Sequence, residues 1–392
     1  SDYLGRLAIG KIVNGNVRDN DETVCIGEKG DPLPLKVSKL QIYEGMEYKE
    51  IESAEPGDIV VLSGINNVNI GDTICTKGSP KPLKRICVDE PTVSMKFTLN
   101  NSPFGGNEGR FVQFSKIQER LVKETLLNVA IKVEDTEEKE SAIAKGRGEF
   151  QMAILIETMR REGYEFCVGR PEVIYKYIDG KKTEPIEHLY VDCDENFQGI
   201  VTEKLSVRKG KVTNLVNNGK GRVRIEFSVP SKALIGYRDE FLTDTKGTGI
   251  MNSYFSGYEE FRGDFPSRFT GSIVSDRQGR AVAYALHNLE PRGSLSIVPG
   301  VPVYEGMIIG EHNRENDINV NPTKEKKLSN VRAAGKDDAV VLSPIKPLTL
   351  EYAINFIKDD ELVEVTPKSI RMRKSVLSAQ DRHRLRSTKN KG

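Results

Sequence analysis

The chain has 392 residues, of which 37% are hydrophobic and 29% are charged, and it carries a formal net charge of +1. A chain of this length exceeds what one hydrophobic core normally supports, so we expect roughly three or four domains. This composition excludes a fibrous or wholly disordered protein. No stretch approaches the roughly 18 consecutive apolar residues of a membrane span. We therefore expect no membrane contact.

The cysteines and histidines show no pattern of a structural or catalytic site. Five cysteines are widely spaced and form no CxxC pair, and the four histidines are scattered. Neither a disulfide framework nor a zinc site is indicated. The N-terminal residues show no secretory signal. We expect a protein of the reducing cytoplasm without a metal ion.

Short strands separated by glycines characterise residues 1–84. Strand-like segments are found at 7–13, 23–26, 35–42, 58–62 and 72–75. Such short strands with regular turns predict a small β-barrel. A proline-rich connector around residues 80–91 ends this domain, because closely spaced prolines cannot continue a β-ladder.

The next two segments, 91–176 and 184–260, show the same order of elements. In each, the pattern predicts strand, helix, two strands, helix and strand, with the helices recognised by apolar residues at three- and four-residue steps. Asn217 to Gly219 is a predicted tight turn between two strands. Two successive β-α-β-β-α-β units predict a pair of ferredoxin-like α+β domains.

Residues 261–392 are predicted to form a β-rich C-terminal domain. The predicted strands are 271–274, 281–286, 293–297 and 307–310, and an amphipathic helix is predicted at 348–357. Residues 311–338 are polar and aperiodic, which predicts a long functional or disordered loop. Residues 366–392 contain nine Lys or Arg and a single Asp, a net charge of +8. This basic tail is suited to a polyanion, and a solvated tail is the open alternative.

Three groups of basic residues are candidates for RNA contacts. In the first, alternation along 222–227 directs Arg222 and Arg224 outward beside the turn residue Lys220. The same alternation is predicted for Arg371, Arg373 and Lys374. The third group lies in the long loop and consists of Lys324, Lys326, Lys327, Arg332 and Lys336. Solvated surface charge is the alternative interpretation of the second and third groups.

Catalytic residues are not indicated. A phosphate-binding loop needs glycines followed by Lys and Ser or Thr at a helix start, and no GxxxxGK[ST] occurs. No Cys/His or Ser/His/Asp arrangement has supporting context. We therefore expect this chain to lack a catalytic centre and to bind no cofactor.

Several motifs resemble one family of translational GTPases. Segments 54–65 and 70–74 resemble domain II of these proteins. Segment 101–109, Asn-Ser-Pro-Phe-Gly-Gly-Asn-Glu-Gly, is similar to the corresponding motif of the BipA/TypA family. Further segments that resemble this family are 146–152, 169–173, 230–238, 252–255, 289–293, 304–310 and 330–334. The resemblance covers essentially the whole chain.

The resemblance implies a domain II barrel, two ferredoxin-like domains of the elongation-factor-G domain III and V types, and a family-specific C-terminal domain. It implies a monomeric protein that binds the 70S ribosome, rRNA and A-site tRNA, and acts in stress-linked translation regulation and large-subunit assembly. GTP and Mg²⁺ are expected to bind in a GTP-binding domain that this sequence lacks. The alternatives are a fragment of a LepA-like or elongation-factor-G-like GTPase and, from another class, a ferredoxin-like small-molecule enzyme or regulator.

Overall fold

The computed structural model describes residues 7–27, 30–63, 68–78, 80–85, 90–217, 219, 221–265, 268, 270–326, 342–345 and 347–389. The chain divides into two compact units, Ser1–Val88 and Asp89–Gly392.

The first unit consists of short antiparallel strands. β1, β8, β5 and β6 form one sheet in that order, β4, β3 and β9 form a second, and β2 pairs with β7. Both larger sheets contribute to one core, which includes Cys25, Leu40, Val60 and Leu62. The expected β-rich architecture is confirmed, while closure into a barrel stays a prediction. The strands are β1 (Ala8–Lys11), β2 (Val17–Arg18), β3 (Glu22–Ile26), β4 (Pro32–Lys36), β5 (Lys39–Glu44), β6 (Glu47–Glu50), β7 (Ser53–Ala54), β8 (Ile59–Ser63) and β9 (Thr73–Thr76).

The second unit begins with the first predicted β-α-β-β-α-β order. Its strands pair in the order β11, β12, β10, β13. Both helices bury apolar residues against this sheet, as Ile117 and Leu121 of α1 show. The elements are β10 (Val93–Thr98), α1 (Phe114–Leu127), β11 (Lys132–Asp135), β12 (Ser141–Gly146), α2 (Glu149–Arg161), β13 (Phe166–Val168) and β14 (Glu172–Val173).

The second predicted repeat of this order is also present. Its main strands pair in the order β17, β18, β16, β19, and the helices cover one face of the sheet. β17 and β18 pair antiparallel on either side of the predicted turn, with Asn217 opposite Val223; residue 218 of that turn lies outside the described residues. The elements are β15 (Lys176–Ile178), β16 (Lys181–Asp194), a 3₁₀ turn (Glu195–Phe197), α3 (Gln198–Val207), β17 (Lys211–Asn217), β18 (Arg222–Pro230), α4 (Ser231–Leu234), α5 (Tyr237–Asp244) and β19 (Ile250–Glu260).

The remaining residues form further strands and three helices within the described part of the chain. These elements are β20 (Ser272–Ser275), β21 (Gly279–Arg280), α6 (Ala283–Leu289), a 3₁₀ turn (Glu290–Arg292), β22 (Gly293–Leu295), β23 (Pro302–Val303), β24 (Met307–His312), β25 (Ile318–Val320), α7 (Leu350–Phe356), β26 (Glu361–Val365), β27 (Ile370–Lys374) and α8 (Ala379–Lys389).

One predicted strand is wrong. Residues 281–286 were expected to be extended, yet α6 begins at Ala283. Its buried residues Ala285, Leu286 and Leu289 fall at helical spacing, on one face of the helix. Because a short apolar run fits both a strand and a buried helix, periodicity alone does not distinguish them here.

The C-terminal strands extend the sheet of the first ferredoxin-like segment. β26 pairs antiparallel with β13, so that Cys167 lies opposite Glu364. From there the sheet continues through β27, β24 and β20 to β25. Residues near 95–168 and near 307–374 therefore share one hydrophobic core. The domain boundaries proposed from sequence within this unit stay predictions.

Candidate nucleic-acid interface

The basic residues predicted on β27 are buried. Arg371 is 8% exposed, and Arg373 and Lys374 are each 1% exposed. β27 lies between β26 and β24 inside the sheet, and both of its faces are covered. A strand buried on both faces has no solvent side onto which alternate residues could point. The prediction of an exposed basic face at Arg371, Arg373 and Lys374 is therefore wrong.

Arg371 forms a bridge between two segments of the sheet. Its guanidinium donates to Glu364 at 2.9 Å and to Glu108 in the loop after β10. Glu364 is fully buried and also accepts a hydrogen bond from the Tyr304 hydroxyl at 2.6 Å. Burial alone would raise the pKa of Glu108, but hydrogen bonds from Thr366 and Arg371 outweigh burial and lower it. These charged side chains therefore lie inside the protein, where ion pairs and hydrogen bonds replace their contact with water.

Lys374 is the centre of a second buried cluster. Its Nζ lies 2.8 Å from Asp317, 3.1 Å from Asp360 and 2.8 Å from Glu361. Arg268 also contacts Glu361, at 3.3 Å. Burial opposes the charge on Lys374, yet these carboxylates raise its pKa above the usual value. The ammonium therefore stays charged and connects three acidic side chains.

The glycine-rich motif at 101–109 binds an anion that belongs to the chain itself. The backbone N–H groups of Gly106 and Gly109 donate to the Glu165 carboxylate at 2.7 and 2.8 Å. Asn100 donates to the same carboxylate at 2.8 Å, and Glu165 is only 1% exposed. A Cβ on Gly109 would lie 2.4 Å from the Glu165 Cβ, so glycine is required there. These amides are thus already occupied by a carboxylate.

The predicted outward orientation of Arg222 and Arg224 on β18 is found. Arg224 has 59% of its side chain exposed. However, Asp192 on the neighbouring strand lies 2.6 Å from Arg222 and 3.5 Å from Arg224. The register places these residues opposite or diagonal to one another, where opposite charges attract. Asp192 therefore partly neutralises this basic pair, and Lys220 lies outside the described residues.

Aromatic side chains on the same sheet face escaped the sequence interpretation. The rings of His188 and Tyr254 stack with centroids 5.3 Å apart, and Tyr190 lies 4.7 Å from His188. Tyr254 is 54% exposed. Alternation of His188, Tyr190 and Asp192 along β16 was the signal that could have identified this face.

The predicted long loop at 311–338 is not irregular throughout, because the end of β24 and strand β25 lie within it. Its basic group is only partly described. Lys324 and Lys326 lie on the surface, while Lys327, Arg332 and Lys336 are outside the described residues.

Beyond β27, the basic tail forms α8, which the sequence interpretation missed. Arg382 anchors this helix through the carbonyl of Val376 and the Asn319 side chain. Arg384 remains 79% exposed, with Asp381 at 3.5 Å.

Two further features of the described residues concern metals and membranes. No group of three or more His, Cys, Asp or Glu side chains is placed to hold a metal ion there. Within the same residues, no helix has the length and apolar character required to cross a membrane.

Four cysteines have free thiols: Cys25, Cys75, Cys167 and Cys193. Burial raises the pKa of the Cys167 thiol to about 12.

Comparison with protein families identifies three matching segments. Residues 5–75 match elongation factor Tu domain 2, residues 181–269 match the elongation factor G C-terminus, and residues 270–379 match the TypA/BipA C-terminal domain. These matches follow the chain in the order expected from its sequence motifs.

Curated relatives cover nearly the whole chain. The large ribosomal subunit assembly factor BipA of Escherichia coli strain K12 is 48% identical over 383 residues, which are 97% of this chain and 63% of the relative. The protein of the same name from Haemophilus influenzae is 46% identical over 389 residues, 99% of this chain and 63% of the relative. The chain thus spans less than two thirds of the length of these relatives. A crystal structure of a Thermus thermophilus protein is 15% identical, covers 66% of this chain and 54% of its own, and has a TM-score of 0.41.

Proposed function

The chain belongs to the TypA/BipA family, and on this premise we propose that it is the ribosome-binding part of a translational GTPase that acts in assembly of the large ribosomal subunit. The observation that supports this most strongly is the 48% identity over 97% of the chain to relatives named for large-subunit assembly. The match of residues 270–379 to the TypA/BipA C-terminal domain favours this function over a LepA-like or elongation-factor-G-like fragment.

GTP and Mg²⁺ bind, in this proposal, in the portion of the relatives that the chain does not cover. Two observations support this assignment. The sequence contains no phosphate-binding loop motif. In the glycine-rich loop at 101–109, the Gly106 and Gly109 amides are engaged by Glu165. This chain would then contribute ribosome binding, and GTP would be hydrolysed in the portion that it does not cover.

The proposed partners are rRNA in the ribosome and, at the C-terminal domain, A-site tRNA. We propose a monomer in the cytoplasm, with a role in stress-linked translation regulation. The elongation-factor-type segments at 5–75 and 181–269 support binding at the site used by elongation factors.

The RNA-contacting surface that we propose differs from the one expected from sequence. Arg371, Arg373 and Lys374 are removed from it because their charges are buried and paired. We retain Arg224, Lys324 and Lys326 and add Arg384, because the side chains of these four residues lie on the surface. These residues can release counterions from phosphates without reading the base sequence.

Sedimentation with isolated ribosomal subunits tests the proposed function. We expect the 392-residue chain to pellet with large subunits at low salt and to pellet much less with small subunits. Equal pelleting with both subunits would indicate nonspecific attraction to RNA, and absence of pelleting with large subunits would contradict the proposal.

The proposed contact surface predicts a change in the salt dependence of this binding. Replacing Lys324, Lys326 and Arg384 together with Ala should flatten the plot of log affinity against log salt, by up to about 0.9 for each phosphate that is no longer neutralised. The matched control exchanges the same positions conservatively, Lys324→Arg, Lys326→Arg and Arg384→Lys, and should keep the wild-type slope. If the alanine variant folds and its slope equals that of the control, these residues do not contact phosphate.

A further inference from the structure

A cleft of about 560 Å³ opens in the second compact unit, where three parts of the fold meet. Its walls come from the start of α2, the turn between α4 and α5, the middle of β19, and α7. Phe150, Met251 and Ile354 contribute apolar surface to it. Volume, apolar walls and convergent polar groups are the usual attributes of a ligand site.

Two polar side chains that line this cleft each have an oxygen without a hydrogen-bond partner among the described residues. Ser231 is only 3% exposed, and its Oγ has no partner among the described residues. Within the same described residues, Asn355 Oδ1 is also buried without a partner. A buried polar atom without a hydrogen bond is unfavourable, so a ligand that donates to both oxygens would gain free energy.

A titratable carboxyl also lines the cleft. Glu149, at the start of α2, accepts a hydrogen bond from the Gly236 backbone N–H at 3.0 Å. Burial raises the pKa of Glu149 to about 7, the Gly236 N–H and Arg208 oppose that rise, and Asp239 and Glu187 add to it. A perturbed carboxyl in a cleft is a recognised sign of a functional site.

The cleft is acidic overall. Five acidic side chains line it, against two basic ones, and one of the five, Glu90, is already paired with Lys176. The acidic residues are Glu90, Glu149, Glu187, Asp239 and Glu351, and the basic residues are Arg147 and Arg238. A cation therefore fits the electrostatics of the cleft better than an anion does.

We propose that this cleft binds the guanidinium group of an arginine side chain presented by a peptide segment of a protein partner. A guanidinium carries five N–H donors in one plane, enough to serve the Glu149 carboxylate, Asn355 Oδ1 and Ser231 Oγ together. The apolar walls would take the methylene stem, and the exposed ring of Phe150 offers a face for cation–π contact. Lysine has fewer donors and no planar face, so arginine is the better match.

Arginine binding should depend on pH through Glu149. A bound cation stabilises the ionised carboxylate, so binding removes the proton that Glu149 carries below pH 7. Affinity should therefore rise about tenfold between pH 6 and pH 8. Recognition of arginine in this cleft does not depend on the proposed ribosome function, and it would survive failure of that proposal.

Methyl NMR of the whole chain, labelled at Ile and Met methyl groups, tests for arginine binding. The probe is N-acetyl-L-arginine amide, and N-acetyl-L-norleucine amide is the uncharged comparison. We expect the arginine probe to shift the methyl signals of Ile235, Met251 and Ile354 at pH 8, with a dissociation constant on the order of 1 mM. The norleucine probe should leave them unchanged; equal shifts with both probes would contradict guanidinium recognition.

Two variants test which side chains of the cleft contribute to arginine binding. Glu149→Gln should weaken arginine binding at pH 8 about tenfold and abolish its pH dependence. Phe150→Ala, at a position 67% exposed, should weaken binding several-fold without disturbing the fold. Ile154→Ala is the matched control, because Ile154 is 53% exposed on the same helix and does not line the cleft. Wild-type affinity in both test variants would overturn the proposal.

Discussion

Replacing Lys374 with Ala is expected to lower the free energy of unfolding of the unit formed by residues 89–392 by about 3–5 kcal/mol. The ammonium is 1% exposed and contacts Asp317, Asp360 and Glu361. Its removal leaves the fully buried Glu361 with Arg268 as its described ionic partner, at 3.3 Å. A buried carboxylate that loses the nearer of its cationic partners costs more than the missing attraction of that pair, because it cannot regain water.

Urea titration, with amide hydrogen exchange of β26 and β27 as the local readout, measures this change. Lys368→Ala is the matched control, since Lys368 lies on the surface a few residues away, and its substitution should change stability by no more than about 0.5 kcal/mol. If Lys374→Ala were as mild as this control, the buried cluster would not stabilise the sheet, and the stabilising role given to its ion pairs would be wrong.

Substitution Glu165→Ala is expected to destabilise the same unit by about 3 kcal/mol, because it leaves several hydrogen-bond donors without their acceptor. The donors are the backbone amides of Gly106 and Gly109 and the side chain of Asn100. Hydrogen exchange at the two glycine amides should accelerate by about 100-fold as the loop opens. Glu165→Gln, which keeps the shape and one acceptor oxygen, should have an intermediate effect.

Glu137→Ala provides the control for this experiment. Glu137 is exposed, and its replacement should leave the exchange of Gly106 and Gly109 unchanged. Unchanged exchange in Glu165→Ala as well would mean that the loop is held by other contacts.

Local patterns in the sequence were sufficient for much of the fold. The two β-α-β-β-α-β orders and the β-rich first unit both depend on short-range periodicity and turn residues. Helix α6 is one exception, because a short run of Ala, Leu and Val fits both a strand and a buried helix. The helical conformation of this segment is decided by its packing against the rest of the fold.

The candidate site was harder to predict because the decisive contacts are nonlocal. Arg371 is paired with Glu108, which lies 263 positions away in the sequence. Nothing in the alternation of Arg371, Met372 and Arg373 reveals that β26 and β24 enclose this strand. Alternation correctly directed Arg224 outward, but it could not show that Asp192 would lie across from it.

The cleft escaped the sequence interpretation for the same reason. Glu149, Ser231 and Asn355 lie in separate segments and carry no shared motif. They meet only because α2, the start of α4 and α7 pack around one opening. Their chemistry therefore follows from tertiary structure alone.

Competition on 70S ribosomes tests most directly whether this chain uses the site of the elongation factors. The chain should pellet with the ribosome at low salt, and saturating elongation factor G held on the ribosome should displace it. Lys374→Ala should pellet like the wild type under conditions where it remains folded, because Lys374 stabilises the sheet and contacts no RNA. Failure of the wild-type chain to pellet, or pelleting that elongation factor G leaves unchanged, would contradict the proposed function.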